Sequence, residues 1–182
     1  MKKILMVVGS MRNGSFNQQV AKHIAKLLKN KAEVAFLDYK DLPFMNQDIE
    51  YPTPEAVKHV RSEVDSADGL WIVSPEYNHS IPAVLKNFLD WISRPNEANN
   101  PKAGKASADK KVTFSGIGGS NETAGCRNDL FNLCKFIGMN IVGDRGTGLQ
   151  FNRETFATGK VTFSEEDNAK LLAQVDAFLA YL

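Results

Sequence analysis

Short apolar runs alternate with amphipathic segments of helical length from one end of this chain to the other. The runs fall at residues 4–8, 33–37, 70–74 and 111–114, and a shorter one starts at Asn140-Ile-Val142. Such continuous apolar strands need cover on both faces, and a helix between successive strands supplies it. The helix patterns lie at about residues 17–29, from Thr53-Pro54 to about 67, at 82–93 and at about 125–138. A last one is opened by Ser164-Glu-Glu-Asp167, which has the form of a capping box. Thr53 reads as an N-cap before Pro54, and Pro82 stands at another helix start. In the last helix Leu171, Leu172, Val175, Phe178 and Leu179 form one apolar stripe.

This rhythm predicts one α/β domain over residues 1–182: a flavodoxin-like, five-stranded parallel sheet of order 2-1-3-4-5 with helices on both faces. The connection over residues 38–52 and the polar stretch 96–110 read as loops. In such sheets ligands bind beyond the carboxyl ends of the strands, so the loops after the first, third and fourth strands carry the functional argument.

The first loop, Gly9-Ser-Met-Arg-Asn-Gly-Ser-Phe-Asn17, runs into a helix. A helix N-terminus offers free N–H groups and partial positive charge to an anion. Ser10, Ser15 and Asn17 add neutral donors, and Arg12 adds a charge-assisted contact. The spacing Gly9-x4-Gly14 imitates a nucleotide-binding P-loop, but Ser15-Phe16 stands where Lys-Ser/Thr is required, which argues against a nucleoside triphosphatase. No dinucleotide G-x-G-x-x-G is present. A compact terminal monophosphate suits the loop; the competing structural reading is a capped turn with an exposed Arg.

The second loop, Ser74-Pro-Glu-Tyr-Asn-His-Ser-Ile-Pro82, is bracketed by prolines that limit its freedom. Tyr77 offers a ring, and Asn78 and the backbone amides offer fixed donors and acceptors of the kind a flavin ring system needs. Glu76 is a candidate acid, although a carboxylate here more often orders its own loop. In the helix that follows, Leu85, Phe88, Leu89 and Ile92 share the core face, while Trp91 lies off it as a candidate subunit contact. The third loop, Ser115-Gly-Ile-Gly-Gly-Ser120, would let backbone approach a ligand through Gly116, Gly118 and Gly119.

A net charge of +1 argues against a nucleic-acid partner. Cys126 and Cys134 lie eight residues apart in one helical segment, about 12 Å along its axis and beyond disulfide reach. They read as core thiols in a reducing compartment. His23, His59 and His79 are scattered, without the ligand spacing of a metal site. Only five apolar residues follow Met-Lys-Lys, and no run reaches membrane-spanning length, so a cytoplasmic location is expected.

These residues together resemble the NADPH-dependent FMN reductase family, which includes quinone, chromate and azo-dye reductases. Gly9-Ser10-x-Arg12-x-x-Ser15-x-Asn17 looks like its phosphate motif. Pro75-Glu-Tyr-Asn78-x-Ser80-x-Pro82-x-x-Leu85-Lys86-Asn87-x-x-Asp90-Trp91-x-Ser93-Arg94 looks like its isoalloxazine loop and following helix. The resemblance implies FMN as cofactor and NADPH or NADH as hydride donor. Ser10, Arg12, Ser15 and Asn17 would bind the phosphate, and Pro75, Glu76, Tyr77 and Asn78 would line the isoalloxazine. Ser115, Gly116, Gly118 and Gly119 would close the third side. It further implies a quinone, azo compound or chromate as acceptor by a ping-pong cycle, and a homodimer or homotetramer. The residues Gly119-Ser-Asn-Glu-Thr-Ala-Gly125 depart from the chromate and quinone branch in polarity and spacing. The alternatives are a reductase of free FMN serving a monooxygenase and a flavodoxin-type electron carrier.

Overall fold

The computed structural model describes residues 1–100 and 103–182, so Pro101 and Lys102 of the loop expected over 96–110 lie outside the described residues. Strand β1 (Lys3–Val8) leads to helix α1 (Phe16–Leu27), β2 (Glu33–Phe36), α2 (Glu55–Ser66), β3 (Gly69–Val73) and α3 (Ala83–Ile92). Then come β4 (Lys111–Gly118), α4 (Ala124–Phe136), β5 (Asn140–Ile141), β6 (Thr147–Gln150), α5 (Arg153–Thr158) and α6 (Glu165–Tyr181). All pairs are parallel, and the order is β2-β1-β3-β4-β5, as the alternating pattern predicts.

Strand alternation decides which side chains meet which helices. Leu5, Val7, Leu70, Ile72, Val112 and Phe114 share a core with residues of α2, α3 and α4. Ile4, Met6, Val8, Trp71, Val73 and Ile117 share another with α1 and α6. Cys126 and Cys134 are both buried in the first core, in agreement with their reading as core thiols. The capping box forms: Ser164 Oγ accepts from the Asp167 N–H at 3.1 Å, and Asp167 Oδ2 accepts from the Ser164 N–H at 3.0 Å.

Several local expectations change. The fifth strand position is filled in two pieces: β5 pairs with Lys111 and Val112, and β6 pairs with Ser115–Gly118. The chain steps out between them through Gly143 and Gly146, both at positive φ, and a Cβ on Gly146 would collide with the Phe114 carbonyl oxygen. Because β6 extends the ladder, Ser115–Gly118 is strand rather than loop. Pro54, not Thr53, caps α2, and Thr53 Oγ1 donates to the Glu50 carbonyl at 3.1 Å instead.

Trp91 is fully buried, which removes it as a subunit contact. Its Nε1–H donates to the Pro43 carbonyl at 2.7 Å, beside Asn87, which accepts from the Met45 N–H and donates to Pro43. The long connection after β2 covers this side of α3, so the helix has a second buried face that the sheet-facing stripe alone does not reveal. In α6, Leu171, Val175 and Phe178 are buried, whereas Leu172 faces solvent and Leu179 is half-buried.

A cavity across the carboxyl ends of β1, β3 and β4

The loop after β1 leaves the sheet at Gly9, whose N–H still donates to Val73 O at 2.9 Å. A side chain at Gly9 would run into Ser74 and Leu85, so the close approach of the β1 and β3 ends requires glycine. The loop reverses at Gly14 (φ +70) and enters α1 with Ser15 as N-cap. No acidic residue occupies the first turn of α1, so no negative charge there offsets its dipole; Ser15 Oγ accepts from the Gln18 N–H at 3.4 Å. Arg12 joins no ion pair among the described residues; its Nη1 donates at 3.4 Å to Asn13 O, and its guanidinium sits 5.0 Å from the centre of the Phe16 ring. Asn17 has a second task. Its amide donates to Ile117 O at 3.2 Å and accepts from the Ile117 N–H at 3.0 Å, tying α1 to β4 in the cavity floor.

The loop after β3 is a small hairpin. Tyr77 and Ser80 exchange backbone hydrogen bonds of 3.2 and 3.1 Å around Asn78 and His79, both at positive φ. Glu76 anchors the hairpin to the α4 N-terminus: Oε2 accepts from the Cys126 N–H at 2.8 Å, Asn121 donates to Oε1, and His79 Nδ1 lies 3.2 Å from it. A Cβ at Gly125 would sit 2.7 Å from His79 O and 2.9 Å from Glu76 Oε2, so the anchor depends on glycine there. The Glu76 side chain is 9% exposed. Burial pushes its pKa up, but the Cys126 N–H, the Asn121 amide, His79 and the Gly125 N–H outweigh this and hold it below the ordinary carboxylate range. The other leg is held by Ser80 Oγ donating to Asp129 at 2.7 Å. Glu76 is therefore built as a loop anchor that stays ionised.

These loops enclose a cavity of about 530 Å³ that opens to solvent. Of the residues expected at the site, Ser10, Arg12, Ser15 and Asn17 line one part of it. Pro75, Glu76, Tyr77, Gly118 and Gly119 line the rest. Three expected residues do not. Asn78 is exposed at the hairpin tip. Ser115 is fully buried inside β4, accepting from Trp71 Nε1 and donating to Gln174 Oε1, both at 2.9 Å. Gly116 packs against Ser74 O and Thr123, where no side chain fits. All three shift for local reasons: a turn carries Asn78 outward, and the longer β4 turns Ser115 and Gly116 into strand interior.

The walls also contain Phe16, Ile117 and Asn121, and Phe151, Phe156 and Gly159 from the segment after β6. Phe16 had a sequence signal in its place at the helix start; the later three had none, since β6 and α5 are too short to read by periodicity. Neither cysteine lines the cavity. Burial raises the Cys126 thiol to about 11 and the Cys134 thiol to about 12. Among the described residues no group of three or more His, Cys, Asp or Glu could hold a metal ion, and no helix is long and apolar enough to cross a membrane.

Residues 2–151 match the NADPH-dependent FMN reductase family. A 2-hydroxy-1,4-benzoquinone reductase of Burkholderia sp. is 32% identical over 180 residues, covering 99% of this chain and 96% of that one. A quinone reductase of Pseudomonas putida is 36% identical over 131 residues, covering 71% of this chain and 70% of that one. Among solved structures, FerB, a flavoenzyme NAD(P)H:(acceptor) oxidoreductase from Paracoccus denitrificans, superposes with a TM-score of 0.85 at 29% identity, covering 100% of this chain and 97% of that one.

Proposed function

This chain belongs to the NADPH-dependent FMN reductase family and is an oxidoreductase, and on that premise we propose that it holds FMN in the cavity described and passes electrons from NADPH or NADH to a quinone. The observation that carries the reading is one cavity with two unlike ends. One has a helix start free of acidic residues and an Arg12 without an acidic partner among the described residues; the other has a rigid, backbone-rich gap between two anchored loops.

The residues present fit the group. Ser10, Ser15, Arg12 and the first-turn N–H groups of α1 form a donor set for a terminal phosphate. A Cβ on Gly119 would meet nothing within 4 Å, so this backbone borders open space of the kind a flat ring fills. Bound FMN would supply the hydride chemistry, accepting from a nicotinamide and donating to the acceptor. The protein's part is placement. Pro75 and Tyr77 would border the ring, Glu76 fixes their loop, and Asn17 holds β4 in register with the loop after β1. Glu76 is kept ionised and so is not the proton donor; protons for a reduced quinone would come from water.

The quinone acceptor is inferred from the two reductases similar to this chain; azo compounds and chromate are proposed as side substrates. A homodimer or homotetramer is proposed as the working form. Its support is the solvent-facing apolar surface beside the hairpin, where Phe136 is 88% exposed next to Ile81 and Leu133. The visible spectrum of purified protein, followed by anaerobic titration with NADPH, tests the central reading. A yellow protein with one FMN per chain, bleached by NADPH and recoloured by quinone, is expected. A colourless protein that takes up neither FMN nor FAD at micromolar concentration would overturn it.

A further inference from the structure

The segment of residues 151–161 crosses the anion end of the cavity and is tied down on both sides. At its start the Phe151 N–H donates to Gly118 O at 3.0 Å. At its finish the Val161 N–H donates to Gln19 Oε1 at 2.9 Å. Between these ties lies α5, whose N-cap Asn152 accepts from the Thr155 N–H and hydroxyl at 2.9 and 3.0 Å. The helix stops at Gly159, in a left-handed turn at φ +69. Gln19 Nε2 donates to Gly159 O at 2.9 Å and, more weakly, to Gly14 O at 3.4 Å. One side chain on α1 therefore clasps both this segment and the anion loop.

The same segment brings two aromatic rings to the cavity wall. Phe151 and Phe156 meet edge to face at 4.6 Å, and both meet Phe16, at 6.0 and 5.8 Å. Arg12 lies over Phe16, so this cavity-lining cation is bordered by a cluster of three rings. Phe156 still has 65% of its surface exposed although it lines the cavity, which leaves a face of the ring free to cover an occupant.

We infer that residues 151–161 form a retention strap for the FMN phosphate, which makes FMN a resident group rather than a flavin released in each cycle. The inference rests on the FMN reading. Rings that keep water from the Arg12–phosphate contact lower the local dielectric and strengthen that contact. Escape then requires the Gln19 hydrogen bonds to open and the Phe156 ring to swing away. Phe156 and Gln19 thus govern how long FMN stays, and neither is assigned to the ring end of the cavity.

The test measures FMN release from the FMN-loaded protein by timed dilution and ultrafiltration, with riboflavin affinity measured alongside by calorimetry. Phe156→Ala and Gln19→Ala are each expected to release FMN about tenfold faster than wild type, since changes in affinity fall mainly on the off-rate. Their riboflavin affinity should stay within about threefold, so the preference for FMN over riboflavin narrows by about tenfold. Phe156→Tyr should behave as wild type. Circular dichroism establishes that both variants are folded, as substitutions at an exposed ring and at a helix-surface amide allow. Wild type that holds FMN while both variants hold it as long would overturn the strap alone. So would equal losses for FMN and riboflavin. Wild type that takes up no FMN at all would remove the FMN reading and the strap together.

Discussion

The Glu76 carboxylate accepts a hydrogen bond from the Cys126 backbone N–H at 2.8 Å, joining the loop after β3 to the first turn of α4. A carboxylate on a helix N-terminus is stabilised by the free N–H groups and by the dipole. Here the same contact sets the distance between two walls of the cavity. Replacing Glu76 with Gln removes the charge from this bond and presents an amide to backbone donors. A loss of about 1.5–3 kcal/mol of stability at neutral pH is expected, the range for hydrogen bonds to a charged group.

The pH dependence of that loss is fixed in sign. Because the folded pKa of Glu76 is held low, its contribution is complete above the unfolded value of about 4.3 and disappears as pH falls through the folded one. Urea unfolding of wild type and Glu76→Gln should therefore differ at pH 7 and converge in strong acid. Turnover of FMN-loaded Glu76→Gln should fall by much less than the 10²–10⁴-fold of a lost general acid. A drop of about three decades with FMN still bound would make the carboxylate a catalyst.

Arg12→Ala should weaken FMN far more than riboflavin, because the proposed site assigns the guanidinium to the phosphate alone. Losing a charge-assisted hydrogen bond costs about 1.5–3 kcal/mol, or roughly ten- to hundredfold in affinity. Calorimetry with both ligands reads this directly, and equal losses would show that Arg12 does not touch the phosphate.

Ser115→Ala separates a structural hydroxyl from a binding one. The Ser115 oxygen is the acceptor for the buried Trp71 indole and a donor to Gln174, whose amide also reaches Thr113 and the Phe114 carbonyl. Removing it strands buried polar groups at a cost of about 1–3 kcal/mol, visible as a lower urea midpoint. FMN affinity should stay within about twofold, in line with a hydroxyl fully buried between Trp71 and Gln174; a larger loss would return Ser115 to the site.

Both thiols should resist modification in the native protein. With burial holding Cys126 near 11 and Cys134 near 12, the thiolate is scarce at neutral pH. A thiol reagent should react with neither until denaturant is added, and then with both. Fast reaction of one thiol in the FMN-loaded enzyme would show an opening at α4.

If donor and acceptor share the cavity, as proposed, they are expected to take turns. Reciprocal plots against NADPH at several quinone concentrations should be parallel, with high quinone competing against NADPH. Intersecting lines would mean a ternary complex with separate sites.

The parts legible in sequence were those written in residue type or period. The apolar alternation located β1 to β4 and their helices, and glycine, hydroxyl and Arg12 marked the cavity-lining loop after β1. The paired prolines located the loop after β3 that lines the cavity. Three kinds of information were not local. The length of β4 depends on whether β6 comes back to pair with it, and that decided the fate of Ser115 and Gly116. The burial of Trp91 depends on where the connection after β2 lies, since its partner Pro43 is 48 residues away. The aromatic wall draws Phe16 together with Phe151 and Phe156 across most of the chain, and no spacing rule links them.

The split pairing partner of β4 has a consequence for how copies of this molecule can meet. A long, flat outer strand is a template on which another chain can add its own backbone. Here that border is made of a two-residue strand and a four-residue strand separated by a glycine-bearing step, and the opposite border, β2, has only four residues. Neither rim offers an unbroken row of hydrogen-bonding groups long enough for strand addition. On that geometry, copies that associate would meet through helix surfaces rather than through the sheet borders.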